Sequence, residues 1–444
     1  MKEEYSDGIF SVSSKHGFLP IFEPLHQLPE KYKNVQILIN DLDKSLLKES
    51  GLIEYAIATL DNMVELVKVE DDKRVLQALF RAYCFLTSAY LLAPAHFNKD
   101  SDGKYGKAHQ ILPKQLAMPL VAVSDKLKVT PWMDYHYGYS LGNYVKINAE
   151  GTLHWDNLKM ACSFTGGQDE VGFIMNHVYI NEVSPKLVEG IMETIGGDHL
   201  NGLRKVLETI REMNERRRTM WKASNPKNYN DFRAFIMGIE GNTDIFGEGV
   251  VYEGCGEEKR KYRGQTGAQD NIIPSLDIFT GIIKYYPDNM LTRYLLDLRN
   301  YRPKCVQEYF IDLENESPKF KENLSLEEKI LLLAIVEQVY FFRSGHFHFV
   351  TNYIMKNTKY AVATGGTPII SWIPNQIGAV LSCMKDMVME IGEVEDELFM
   401  KIRDRLGEKV LVLNNQIEEL RNANYNVDKL SDMFGNLDDR TVKF

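Results

Sequence analysis

The stretch SLEEKILLLAIVEQVYFFRSGHFHFV, residues 325–350, decides how the fold is read. Ser325 with Glu328 three positions on is a capping-box pattern, in which hydroxyl and carboxylate satisfy each other's backbone N–H groups at a helix start. From Ile330 to Phe342 the side chains are apolar almost all round, which marks a helix buried on most faces. At about 1.5 Å per residue, a helix over 326–354 runs about 43 Å, long enough to be the central beam of the molecule. Near its end stands His346, next to Gly345 and three residues after Arg343. A lone His on an apolar helix is ordinarily a satisfied core residue. A Gly beside it costs the helix about 1 kcal/mol against Ala, so it asks for a reason such as the close approach of a flat object. His348 lies about 200° further round the helix, so the two histidines cannot chelate one metal from one face. A single axial bond to an iron porphyrin remains open to either.

Outward from this helix the periodicity is mostly helical. Residues 43–66 and 75–92 carry apolar side chains at helix-like spacings, and 185–221 form a further long helix that Gly196 and Gly197 break or kink. Strand signals are short, near 172–180 and 249–252. The segment LAPAHFNKDSDGKYGKAH, residues 92–109, reads as a surface loop. Residues 386–422 read as one charged amphipathic helix, with Val394, Leu398, Ile402, Leu406, Val410, Leu413, Ile417 and Leu420 forming a narrow seam. Such a seam docks on its own domain or pairs with a second subunit, so a homo-oligomer through this helix is one expectation. The fold class is mainly α, divided into 1–160, a dense helical part at 161–385, and a C-terminal extension at 386–444.

Composition narrows the function. The chain has 444 residues, 44% hydrophobic and 26% charged, the balance of an ordinary globular protein. Its net charge of -10 argues against nucleic acid as a partner. The one basic run, Arg216, Arg217 and Arg218, reads as a solvated helix face. No run of about 18 apolar residues suggests a membrane span, and the N-terminus lacks a secretory pattern. Five dispersed cysteines without a CxxC pair read as reduced thiols, and the expected location is the cytoplasm.

Three further segments can carry chemistry. SFTGGQDEVGFIMNH, residues 163–177, is a glycine-bearing loop running into an apolar stretch that ends in His177; a buried structural histidine is the plainer alternative. In DFRAFIMGIEGN, residues 231–242, Arg233 sits among aromatics, where a guanidinium is costly to bury unless it is paired or clamps an anion. ATGGTP, residues 363–368, has backbone donors suited to closing over a carboxylate but lacks the ending of a phosphate-binding loop. No G-x-S-x-G, HExxH or kinase motif occurs.

In order along the chain, SFTGGQDEVGF, FRAFIMGIEGN, VVYEG at 250–254, GQTGAQDNIIPSLDIFTGI at 264–282, RSGHFHFVTNYI at 343–354 and ATGGT at 363–367 resemble the indoleamine 2,3-dioxygenase family. The likeness runs from about residue 17 to about 385, clearer from 160 onward. It implies haem b, with a large helical domain enclosing it and a smaller N-terminal domain covering its distal side. His346 stands where the family places its proximal iron ligand, and Arg343 with Asp277 where an ion pair supports that helix. Arg233 matches the arginine that clamps the substrate carboxylate. Thr364 lies in the loop that helps hold the amino-acid backbone, and Tyr135, Phe173 and Tyr229 fall at pocket positions. The small-molecule partners implied are an indole and O2.

The sequence departs from the family in three places, one of them the helix after residue 386, which has no counterpart in the family pattern. His177 stands where several members carry serine, and it can accept an indole N–H as a catalytic-side group. Asn228 and Tyr229 replace an aromatic pair, which implies a more polar pocket. Besides dioxygen insertion, these changes leave open a haem monooxygenase acting on a tryptophan derivative, and a non-enzymatic haem or gas sensor.

Overall fold

A computed structural model describes residues 1–101, 103–355, 364 and 369–422. The chain opens with an antiparallel pair, β1 (Glu4–Ser6) and β2 (Ser11–Ser13). Four helices follow: α1 (Lys33–Asp41), α2 (Leu52–Ala58), α3 (Val64–Lys68) and α4 (Lys73–Phe97). The strand β3 (Ile111–Leu112), the helix α5 (Lys114–Leu127) and an antiparallel pair, β4 (Tyr144–Lys146) and β5 (Leu158–Met160), complete this part.

The helical body then runs through α6 (Gln168–Asn181), α7 (Ser184–Ile195), α8 (His199–Arg218), α9 (Met220–Ala223), α10 (Tyr229–Arg233) and α11 (Thr243–Phe246). Two strands, β6 (Val250–Tyr252), parallel to β3, and β7 (Lys259–Arg260), make a small sheet. After them come α12 (Ile272–Thr280), α13 (Met290–Asp297), α14 (Lys304–Lys321), α15 (Leu326–Val350), α16 (Ile369–Ile391), α17 (Glu397–Asp404) and α18 (Leu406–Asn422). The mainly-α expectation holds.

The capping box at the head of α15 is formed: the Glu328 N–H donates to the Ser325 hydroxyl at 3.4 Å, and the Ser325 N–H donates to the Glu328 carboxylate at 2.7 Å. The helix packs against α8, α12, α16 and α17, so its apolar faces are covered and it does run through the interior. By length and hydropathy alone Lys73–Phe97 and Leu326–Ile354 could cross a membrane, and most of each is buried inside the protein.

Several sequence readings need correction. Residues 43–66 are not one helix; Gly51, at a φ of 91°, starts α2 in a left-handed conformation that interrupts the run. The 172–180 segment is helical as part of α6, because its apolar residues are buried on two sides and mimic a strand's density. The 249–252 strand is present. The expected loop at 92–109 begins late, since α4 continues through Pro94 to Phe97.

Residues 386–422 are three pieces, broken after Ile391 by Gly392 at a φ of 76°. Phe399, Ile402, Leu406, Val410, Leu413 and Ile417 are buried, and α17 and α18 pack on α15 and α16. That seam is therefore occupied within the chain and is not left for a second subunit. Arg217 is also not on a solvated face: it is buried, whereas Arg218 is exposed and Arg216 pairs with Glu182 and Glu212.

Candidate active site

The site is built on the C-terminal half of α15. Arg343 and His346 are three residues apart and share a face. Arg343 Nη2 donates to Asp277 Oδ2 at 2.5 Å, to the Tyr286 hydroxyl at 3.0 Å and to Gln376 Oε1 at 2.8 Å. Tyr286 in turn donates to the same carboxylate oxygen at 2.5 Å. Arg343 and Asp277 are almost wholly withdrawn from solvent, 8% and 3% exposed, so the pair ties α12 to α15 from within. Burial raises the Asp277 carboxyl above the usual range, and the Arg343 charge opposes that shift.

His346 is ringed by protein, yet its ring remains accessible because the surface it shows faces an internal cavity. Burial, then the charges of Arg217 and His177, push its pKa down to about 4. Its imidazole is neutral at pH 7, the form that binds a metal. His348 faces an outer groove with Arg211, Gln338 and Trp221. The structure thus separates two histidines that periodicity could not.

Gly345 has its reason too, and the flat object beside it is a guanidinium. A Cβ there would lie 2.3 Å from Arg217 Nη2. Arg217 reaches in from α8, its charge 5.4 Å from the ring centres of both Phe342 and Phe349. Burial lowers its pKa to about 10. No carboxylate pairs with it among the described residues, and its Nε is buried without a hydrogen-bond partner.

The opposite wall comes from α6, where Phe173, His177 and Asn181 follow at four-residue steps and line the cavity. Gly172 lets this helix approach α9, since a Cβ there would fall 1.9 Å from the Ala223 carbonyl oxygen. The Phe173 ring lies 4.9 Å from Tyr229 and 5.8 Å from His177. Burial lowers the His177 pKa, with Asp270 opposing it. Tyr135 does not line the cavity; it sits one layer behind, its hydroxyl 3.3 Å from His177 Nδ1 and 2.9 Å from Asp270 Oδ2.

Thr364 lines the cavity, its hydroxyl donating to the Gln265 carbonyl at 2.9 Å. The rest of the 363–368 motif lies outside the described residues. Arg233 is fully buried at the end of α10 but is not among the cavity-lining residues described; Tyr229, one turn earlier, is. Asn228 is exposed and donates to Asp169 at 2.6 Å, so it does not make the pocket more polar.

Asp270, Asn181, Tyr286, Gln376 and Arg217 were not foreseen as site residues. Only Asn181, four residues after His177, was open to detection by spacing.

The cavity has a volume of about 270 Å³, and its walls run from Phe173 and His177 on one side to His346 and Phe349 on the other. Among the described residues no three His, Cys, Asp or Glu side chains converge on a metal ion. A metal at His346 would therefore take most of its ligands from a bound group. Among the described residues, the lining carries a neutral imidazole at His346 and two buried arginines that pair with no carboxylate, Arg217 and Arg302, a set that fits a flat, anionic, metal-bearing group.

The indoleamine 2,3-dioxygenase family model matches residues 7–370. The chain belongs to that family. Indoleamine 2,3-dioxygenase 2 of Homo sapiens is 25% identical over 415 residues, spanning 90% of this chain and 95% of the relative. The indoleamine 2,3-dioxygenase of Saccharomyces cerevisiae is 24% identical, spanning 78% of this chain and 79% of its own length. A 6-hydroxytryptophan 2,3-dioxygenase of Fusarium equiseti is 25% identical across 66% of this chain and 70% of that protein. As an indoleamine 2,3-dioxygenase relative, the chain is a dioxygenase-type oxidoreductase.

Proposed function

We propose that this protein is a haem b enzyme that adds both atoms of O2 across the C2–C3 bond of an indole, in tryptophan or a close relative, and that His346 would hold the haem iron. The observation that carries this reading is a neutral, cavity-facing imidazole on a helix braced by a buried ion pair. Arg217 suits a haem carboxylate, because a buried guanidinium gains most from an ionised partner. Haem held there would supply the iron chemistry that activates dioxygen.

The chain's own residues hold the substrate. Phe173 and Tyr229 present aromatic walls on which an indole can stack. His177, neutral and half-exposed to the cavity, is placed to accept the indole N–H. From its match to the family motif we assign Arg233, buried one turn beyond the cavity-lining Tyr229, to the substrate carboxylate, for which a planar guanidinium is suited, and Thr364 to the amino-acid backbone. Apolar walls exclude water and strengthen each of these contacts. The five cysteines are unbridged, in keeping with a cytoplasmic location.

The test is anaerobic reduction of the haem-reconstituted protein, then addition of O2 and L-tryptophan, with product mass as readout. A gain of two oxygens is expected. A gain of one favours the second reading, a monooxygenase, whose support is the imidazole of His177 on the cavity wall. His346→Ala is expected to lose the haem spectrum; a normal spectrum in that variant overturns the ligand assignment. Arg233→Ala should mainly weaken substrate binding and turnover.

A further inference from the structure

Behind His177 lies a chain of hydrogen bonds whose direction is forced. Asp270 is a carboxylate and accepts only. Tyr135 must therefore spend its one proton on Asp270 Oδ2, 2.9 Å away. Its oxygen is left as an acceptor toward His177 Nδ1 at 3.3 Å, so that nitrogen must carry the proton.

Asn181 enforces the same polarity. Its amide nitrogen, a pure donor, lies 2.9 Å from Asp270 Oδ2, 2.9 Å from the His177 carbonyl and 3.5 Å from the Tyr135 oxygen. Every proton in the cluster thus points away from His177 Nε2 and toward Asp270.

The cluster is also rigidly held. The Ile272 N–H donates to Asp270 Oδ1 at 2.8 Å. The turn before Asp270 is closed by a capping box between Thr266 and Gln269. Gln269 Oε1 also accepts the Tyr135 N–H at 3.1 Å, locking loop and tyrosine together.

We infer that Tyr135 and Asp270 are positioning residues that fix His177 as the Nδ1–H tautomer, leaving a bare Nε2 lone pair toward the cavity to select indoles with a free ring N–H. No proton is transferred: the indole N–H donates to Nε2 and keeps its hydrogen. The mode of selection rests on the indole reading above, whereas the tautomer does not. In the opposite tautomer Nε2–H would meet the indole N–H donor to donor, and the ring would bind without that contact.

The test is long-range ¹H–¹⁵N correlation spectroscopy of the full-length chain labelled at histidine, haem-free and as the diamagnetic ferrous carbonyl form. His177→Asn identifies the resonance. Wild type and Asp270→Asn, which retains the accepting oxygen, are expected to show Nδ1–H. Asp270→Ala frees the Tyr135 hydroxyl to donate to Nδ1 and should flip the ring to Nε2–H; Tyr135→Phe, which removes one oxygen, should lose the Nδ1–H preference. Nε2–H in wild type, or Nδ1–H persisting in both Asp270→Ala and Tyr135→Phe, overturns the inference. Binding of 1-methyltryptophan, which lacks the ring N–H, should be weaker than that of tryptophan in wild type, and the gap should shrink at least several-fold in Tyr135→Phe. Product mass on the same samples reports the oxygenase reading separately, so the failure of one is not mistaken for the failure of the other.

Discussion

Removing Asp277 should destabilise the protein by more than a hydrogen-bond count suggests. The carboxylate and Arg343 are 3% and 8% exposed, so Asp277→Ala strands a guanidinium away from water. Breaking a buried pair from one side costs about 3–5 kcal/mol. Arg343 retains Tyr286 and Gln376, at 3.0 and 2.8 Å, which places the cost near the lower end. With unfolding entropy of about 2.1 cal/mol/K per residue, a chain of this length has an entropy of roughly 0.9 kcal/mol/K, and Tm should fall by about 3–6 °C.

Arg343→Met strands the carboxylate instead and should also be costly. The double variant removes both charges, so it should be less damaging than the sum of the singles by about 1–3 kcal/mol. The assay is thermal unfolding of all four proteins without haem, so that ligand binding does not shift Tm. A loss under about 1 kcal/mol for Asp277→Ala, or singles that simply add, refutes the claim that this pair is a buried, mutually dependent unit.

Gly345→Ala gains about 1 kcal/mol in helix propensity, but its methyl meets Arg217 Nη2 at 2.3 Å. Because that guanidinium is buried against two phenyl rings, overpacking of about 1–3 kcal/mol should prevail, and Arg217→Ala should relieve it; a stabilised single variant would show that Arg217 yields freely. His136 is fully buried with its pKa pushed down to about 3, by burial first and then Arg302. Between pH 6.5 and 3 the unfolded chain takes up a proton at this residue that the folded chain refuses, so stability should fall with pH by about 1.4 kcal/mol per unit. Urea midpoints of wild type and His136→Phe at pH 7 and pH 5 check this, the variant having the shallower dependence. Ser325→Ala removes the cap of α15 and should cost about 1 kcal/mol, read as a lowered urea midpoint.

Much of this protein is legible in its residues. Ser325, Glu328 and the apolar run after them determine a buried central helix, because capping and periodicity act over a few positions of chain. The order of six motifs was enough to point to the family. The failures come from contacts made at a distance. Gly51 and Gly392 break apparent helices by taking a left-handed φ, which a glycine permits but its presence in the sequence does not compel. Residues 172–180 look like a strand because burial on two sides erases helical periodicity.

The site divides the same way. His346, Arg343 and Asp277 were open to sequence, but the sequence could not choose between His346 and His348, which share a helix and differ only in what each faces. Arg217 looked like part of a solvated basic run until tertiary packing buried it against Gly345 and the cavity. Asp270 carries no local signal, since its meaning depends on Tyr135, 135 residues away. Sequence alone determines what a residue can do chemically and the local structure it favours. Which groups meet, and therefore which proton sits on which nitrogen, is decided only when the folded chain brings distant residues within hydrogen-bond reach.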